Sequence, residues 1–235
     1  PQGPPAEAWF AWAADEVATY EAEQYGWTRP LSIVSWPPLD ALHHPTAWLN
    51  TANEEPYNDS AQVDINRIDT ADALVPGFFG SYHIYPNYPD FIITSPEYAS
   101  YRDEHGELRY GGYLEVFRNY HRRYPALVAE FGMATGQGIA HFSPDGLHHG
   151  GVSETEQAEG IIRMFEAIRR EGYLGGVIFE WMDEWAKKTW ITEPFMIPYE
   201  RNVFWHNAVD PEQNYGILAY ESIFPALTPL SGLDE

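Results

Sequence analysis

Apolar positions along the chain switch between two periods, and each switch marks a change of element. Residues 6–25 place Trp9, Trp12, Ala13, Val17 and Tyr20 at helical spacing with Asp and Glu between them, and Gly26 stops the run. This pattern predicts an amphipathic helix. Leu31-Ser-Ile-Val-Ser-Trp36 is a short β-rich run closed by Pro37-Pro38, the signature of a buried strand followed by a loop. Phe78-Phe-Gly-Ser-Tyr-His-Ile-Tyr85 repeats it before Pro86, and residues 111–123 return to helical spacing with Leu114, Phe117 and Tyr120 on one face. Ala126 to Phe131 is the third strand and Gly175 to Trp181 the fourth. Between these two, Ser153-Glu-Thr-Glu156 forms a capping box that opens a helix. Its Ile161, Ile162, Phe165 and Ile168 are expected to face inward until Gly172.

Strands alternating with helices predict a parallel sheet with right-handed crossovers, hence the α/β class. No linker divides the chain, so one domain is expected over residues 1–235, with 186–235 as an irregular wrap over the mouth or outer surface of the fold. The long connections at 37–77, 86–110 and 132–152 are where such folds carry ligand contacts. Within this order, Tyr124-Pro-Ala-Leu-Val-Ala-Glu130-Phe-Gly132 draws most attention, because a short apolar run ends on a carboxylate. The carboxyl end of a buried parallel strand is where α/β folds place their chemistry.

Composition narrows the partners. The formal net charge is −22, with 13 Lys and Arg against 35 Asp and Glu, which argues against nucleic acid or an anionic membrane surface. Aromatic residues make up 16% of the chain, and flat apolar faces with polar edges suit the C–H faces of sugars as well as a large core. With no cysteine there can be neither disulfides nor thiolate metal sites. No stretch approaches a membrane span and no signal peptide opens the chain, while Pro1 in place of Met is expected of a processed or excised segment.

The four strand ends together resemble strands five to eight of the (β/α)8 barrels of retaining glycoside hydrolases, the clan that includes β-galactosidases, β-mannanases and many cellulases. Glu130-Phe131-Gly132 resembles the nucleophile block at the end of the seventh strand, His83-Ile84-Tyr85 a sixth-strand motif, and Trp181 the tryptophan that floors the sugar site after the eighth. The resemblance runs from residue 30 to about 185 as spaced short motifs, including Trp36–Asp40, Tyr82–Pro86 and Glu180–Trp185, the blocks of an uncharacterised family. It implies a carbohydrate ligand, no cofactor, and Glu130 as nucleophile. The clan's acid/base Glu, usually preceded by Asn, closes the fourth strand, and nothing before the first helix can be that strand. Asn53-Glu54 has the right dipeptide in a loop. The acid/base is therefore expected upstream in a longer parent, and this segment alone is expected to be inactive.

Retaining hydrolysis needs one carboxyl to attack the anomeric carbon and another to protonate the leaving oxygen. Glu130 suits the first role if nearby donors stabilise its charge, and His83 and Tyr85 on the adjacent strand are placed to supply them. Trp181 is expected to be a sugar platform, with Asp183 and Glu184 binding hydroxyl groups, Glu180 in a buried ion pair, and Trp36 and Asp40 facing the same cleft. His43-His44 and His148-His149 suggest a metal, but adjacent histidines diverge on a regular element, and no metal site is expected. Gly132 to Gly138 lacks the Lys of a phosphate loop. The rival readings are a carbohydrate-binding or structural barrel without catalysis, and a metal-dependent hydrolase. Acidity and aromatic content favour an extracellular or cell-surface location. The bare edges of the first and last strands favour pairing with a second copy or with the missing half of a barrel.

Overall fold

The computed structural model describes residues 4–44, 62–71, 74, 76–189, 193–195, 201 and 210–219. Asn53-Glu54 lie outside them. In chain order the main elements are α1 (Pro5–Tyr25), β1 (Leu31–Ser35), β2 (Phe78–His83), α2 (Asp90–Thr94), β3 (Arg102–Asp103), β4 (Gly106–Glu107), α3 (Arg109–Tyr120), β5 (Ala126–Phe131), α4 (Glu154–Arg170) and β6 (Gly176–Ile178). β1, β2, β5 and β6 form a four-stranded sheet in that order, every pairing parallel, so the fold is α/β as its alternation predicts. The loop expected at 86–110 instead contains α2 and the small antiparallel β3–β4 hairpin.

Helices cover one face of the sheet. Against β2 and β5, Tyr82, Val128 and Phe131 pack with Leu114 and Phe117 of α3 and Met164 and Ile168 of α4, all buried. A second cluster joins Ile33 and Phe78 to Val63, Ile65 and Ile68, with Ala6 and Phe10 of α1 against its edge. Strand alternation sends Val34, Phe79, Leu127, Ala129 and Val177 to the opposite face. There Val34 and Val177 are each 53% exposed, and Phe79, Leu127 and Ala129 are half-buried.

Two helices differ from their predicted faces. In α1 the apolar stripe of Trp9, Trp12, Val17 and Tyr20 is exposed, while Glu7 and Glu21 are buried. Partners explain the inversion. Glu21 accepts from the Arg29 backbone N–H at 2.9 Å and from its Nε at 2.7 Å, and Glu7 accepts from the Asp64 N–H at 3.2 Å. A buried carboxylate with charged and backbone donors is tolerated. Gly26, at φ 71°, ends the helix in a left-handed turn that favours glycine. In α4 the capping box forms as expected, with the Glu156 N–H donating to Ser153 Oγ at 3.2 Å and the Ser153 N–H to Glu156 Oε2 at 2.7 Å. Its buried stripe is Gln157, Gly160, Ile161, Met164, Ala167 and Ile168, and Ile162 and Phe165 are exposed. Ile161 and Ile168 thus face inward as expected, and the stripe turns toward the small Gly160 and Ala167 rather than toward Ile162 and Phe165.

Past β6 the tail returns as a short parallel partner. Glu180 N–H donates to Tyr215 O at 3.2 Å, Ile217 N–H to Glu180 O at 3.0 Å and Leu218 N–H to Trp181 O at 3.1 Å. The last edge is thus covered beyond the strand rather than bare there. No helix among the described residues is long and apolar enough to cross a membrane.

Candidate functional site

Strict alternation along Val128-Ala129-Glu130 would point Glu130 into the helix-side core with Val128. The register shift between Val128 and Phe131 prevents this, leaving two residues between two core positions, and the β2–β5 pairing shifts at the same level to set His83 opposite Glu130. This bulge turns Glu130 away from the helices. Its Oε2 accepts from the Tyr85 hydroxyl at 3.0 Å and lies 3.2 Å from His83 Nδ1, with 30% of the side chain exposed. Burial pushes the Tyr85 phenol far above its usual range, with Tyr215 and Glu130 adding to the effect, so Tyr85 acts as a donor.

Gly132 fixes the neighbouring strand end. A Cβ there would sit 2.0 Å from Phe179 O, so only glycine lets the backbone after β6 close onto the backbone after β5. Phe179 N–H then donates to Phe131 O at 2.9 Å. The Phe179 ring reaches the Tyr85 ring at 6.5 Å and the Tyr215 ring at 5.5 Å, and Lys187 Nζ stands 4.2 Å from its centroid.

From Phe179 an aromatic arc crosses the carboxyl ends of all four strands. Tyr215 meets Tyr85 at 5.5 Å and His149 at 5.8 Å; His149 meets His141 at 6.3 Å; His141 meets Tyr88 at 5.8 Å; and Tyr88 meets Trp36 at 5.7 Å. The tail is held in this arc by Gln157 of α4, whose Nε2 donates to Met133 O at 2.8 Å and to Gly216 O at 3.3 Å.

Glu130, His83 and Tyr85 are therefore brought together, and Trp36 lies at the far end of the same arc. The other expected contacts are placed differently. Asp40, expected in the cleft, has a fully buried side chain. It accepts from Tyr113 Oη at 2.7 Å and the Leu42 N–H at 2.9 Å, and it lies 2.8 Å from His44 Nε2. The loop after β1 folds it back onto α3, where it is an anchor. Trp181 is 68% exposed, and Phe179 takes the place beside Tyr85 expected of it. Asp183 is buried with Oδ1 accepting the Gly216 N–H at 3.0 Å, a tail clamp. Burial raises its carboxyl, against the lowering effect of that N–H. Glu184 lies 3.1 Å from Lys187 Nζ, which also lies 3.5 Å from Glu212.

Glu180 is not in the ion pair expected of it. Its Oε1 is buried without a hydrogen-bond partner, and burial, reinforced by Glu184, pushes the carboxyl up to about 7. Glu212 carries the opposite shift. Burial would raise it, but His149, 3.0 Å away, and Lys187 outweigh burial and hold it below the usual range.

Phe179, Tyr215 and Glu212 were not singled out by sequence, and His149 was weighed there only as half of a possible metal-binding pair. Tyr215 and Glu212 belong to an aperiodic tail, and only their tertiary return to β6 reveals them. His44 is committed to Asp40 and His149 to Glu212, and among the described residues no group of three His, Cys, Asp or Glu side chains is arranged to hold a metal. Compared with known proteins, the chain matches no family model, no curated protein and no solved structure.

Proposed function

We propose that this chain is half of a (β/α)8 barrel, equivalent to strands five to eight, of a retaining glycoside hydrolase in which Glu130 is the nucleophile. The observation that carries the reading is the placement of Glu130, at the carboxyl end of a parallel strand, accepting from Tyr85 and facing His83 at 3.2 Å. A donor that keeps its proton and a carboxylate with one open oxygen make a nucleophile that is oriented yet accessible. The aromatic arc beside it supplies apolar faces for sugar rings, with Phe179 and Tyr215 next to the carboxylate and Trp36 at the far end. Glu184, half-exposed near Phe179, is suited to a hydroxyl contact. The strand edges then join a second copy or the other half of the barrel.

The arc would serve a carbohydrate-binding module equally well, and covalent chemistry separates the two. The intact protein is incubated with a cyclophellitol-type or 2-fluoro glycoside probe and mapped by peptide mass spectrometry. Label on Glu130 is expected. Label on another residue overturns the assignment, and sugar binding without any label favours the module.

A further inference from the structure

We propose that the outer flank of α1 docks on the outer flank of α4 in a second copy of this chain, with a two-fold axis along the strands making the contact twice. The docking rests on the half-barrel reading and goes further, because it takes the other half from an identical chain and names the surface that joins the two.

The two flanks lie at opposite edges of the sheet. β1 and β6 are its outer strands, α1 packs Ala6, Phe10 and Ala11 against the cluster around Ile33, and α4 lies against β5 and β6. Pinned residues show which way each helix is turned. Glu7 of α1 accepts from the Asp64 N–H at 3.2 Å and lies 3.5 Å from Arg67, and Asn66 of the same segment donates to Tyr120 O of α3 at 3.2 Å. Glu7 therefore marks the side of α1 toward the middle of the sheet. At 3.6 residues per turn, Trp9, Trp12, Glu16, Tyr20 and Glu23 all fall within about 40° of the opposite direction. In α4, Arg163 donates to Asp103 Oδ2 at 2.6 Å and to Glu107 O at 2.7 Å, beside the start of α3. Ala158, Ile162, Phe165 and Arg169 turn about 100° or more away from it. Both outer flanks expose large apolar side chains, Trp9, Trp12 and Tyr20 on one, Ile162 and Phe165 on the other. Exposed apolar rows of this kind mark interaction surfaces.

The flanks also complement each other, which selects a second copy as the occupant. α1 has no Lys or Arg, and its outer flank presents Glu16 and Glu23, whereas the last turn of α4 presents Arg169 and Arg170. Arg169 gives Nε and Nη2 to Glu166, at 3.1 and 2.6 Å, which leaves Nη1 for a partner. Each helix enters its strand through a connection of equal length, residues 26–30 and 171–175. With every strand parallel, helices brought together by the two-fold run the same way with their carboxyl ends level. Counted back from the strands, Glu23 then meets Arg169, Tyr20 meets Phe165, and Trp12 lies over Ala158, whose small side chain leaves room for an indole. The contact is isologous, so each pair occurs twice.

The test is analytical ultracentrifugation of the intact protein. A dimer is expected. Trp12→Ala should raise its Kd about a hundredfold or more, because a central indole is lost at both contacts. Glu23→Arg and Arg169→Glu should each raise it about tenfold, since either sets like charges together twice. An equimolar mixture of the two charge variants should regain wild-type affinity as a heterodimer, in which both pairs are again of opposite sign; a misfolded variant could not be rescued this way. A wild-type monomer, a dimer indifferent to all three substitutions, or a mixture no tighter than its components would overturn the docking. Label at Glu130 in a monomeric wild type leaves the barrel reading standing with its other half from elsewhere. A dimer that passes these tests but takes no label keeps the docking and removes the hydrolase.

Discussion

Glu130 lies near the carboxyl end of β5 and Asp40 shortly after the end of β1 in the same sheet, and their surroundings give them opposite roles. Asp40 has every neighbour it needs from within the protein, namely Tyr113, His44 and the Leu42 N–H, and no surface to offer a ligand. Asp40→Ala strands two buried ring donors, so it should cost about 3 kcal/mol in chemical denaturation and leave KM of the folded fraction unchanged. Tyr85→Phe is the converse. It removes one hydrogen bond to a carboxylate, a contact of about 1.5–3 kcal/mol. The expected loss is roughly 10–100-fold in kcat/KM with the fold intact, measured against thermal stability of the same variant. Glu180 adds a pH signature. Its folded value, about 7 against the ordinary 4.5, is raised, so its contribution to stability is present in full below pH 4.5 and is lost as pH rises to about 7. Glu180→Gln should therefore flatten the stability profile across that window and be relatively more stable at pH 8. The gain should be on the order of 1 kcal/mol, because the carboxyl is partly solvated.

Elements whose signals are local were legible in the sequence; those decided by a distant partner were not. The capping box at Ser153 and Glu156 needs only four consecutive residues, and it forms where it was expected. Ser153→Ala should lower stability by about 1 kcal/mol in thermal unfolding. The four strands were legible because an apolar run between turn residues has few other fates in a chain this size. Their side-chain directions were not all legible. The bulge that points Glu130 at His83 is set by pairing with β2 and β6, and no pattern within residues 126–131 announces it. In α1 the stripe of Trp9, Trp12 and Tyr20 reads as the buried face, yet Arg29 and the Asp64 N–H, remote in sequence, make the Glu21 and Glu7 side the buried one. The site divides the same way. Glu130 and His83 lie on two adjacent strands and Tyr85 just past one of them, all within runs legible in the sequence, whereas Phe179 and Tyr215 depend on Gly132 and on the tail. Gly132→Ala tests that dependence. Its Cβ would meet Phe179 O at 2.0 Å, a backbone atom that cannot step aside. A loss above the roughly 1–3 kcal/mol of ordinary overpacking is expected in urea unfolding, along with displacement of Phe179 from Tyr85, read as a changed near-UV circular dichroism spectrum.

At the scale of the molecule, helices among the described residues cover one face of the sheet only, and parallel sheets are almost always covered on both. The open face is not built for water. Val34 and Val177 stand 53% exposed on it, Phe79, Leu127 and Ala129 are half-buried there, and Glu130 lies at its rim. Four more parallel strands, from a second copy related by an axis along the strands or from the other half of a barrel, would cover it and join the edges of β1 and β6. Rotation about such an axis keeps every strand parallel. Val34→Asp distinguishes a covered face from a solvated one. On a solvated face an exposed valine can be replaced within about 0.5 kcal/mol, whereas an aspartate forced into a closed barrel interior without a partner should cost about 3 kcal/mol or more. Measured on the intact protein by urea unfolding, the larger loss is expected, together with weakened assembly in analytical ultracentrifugation if the covering strands come from a second copy. A change within 0.5 kcal/mol, with the sedimentation profile unaltered, would mean that the face stays open and that the half-barrel reading fails.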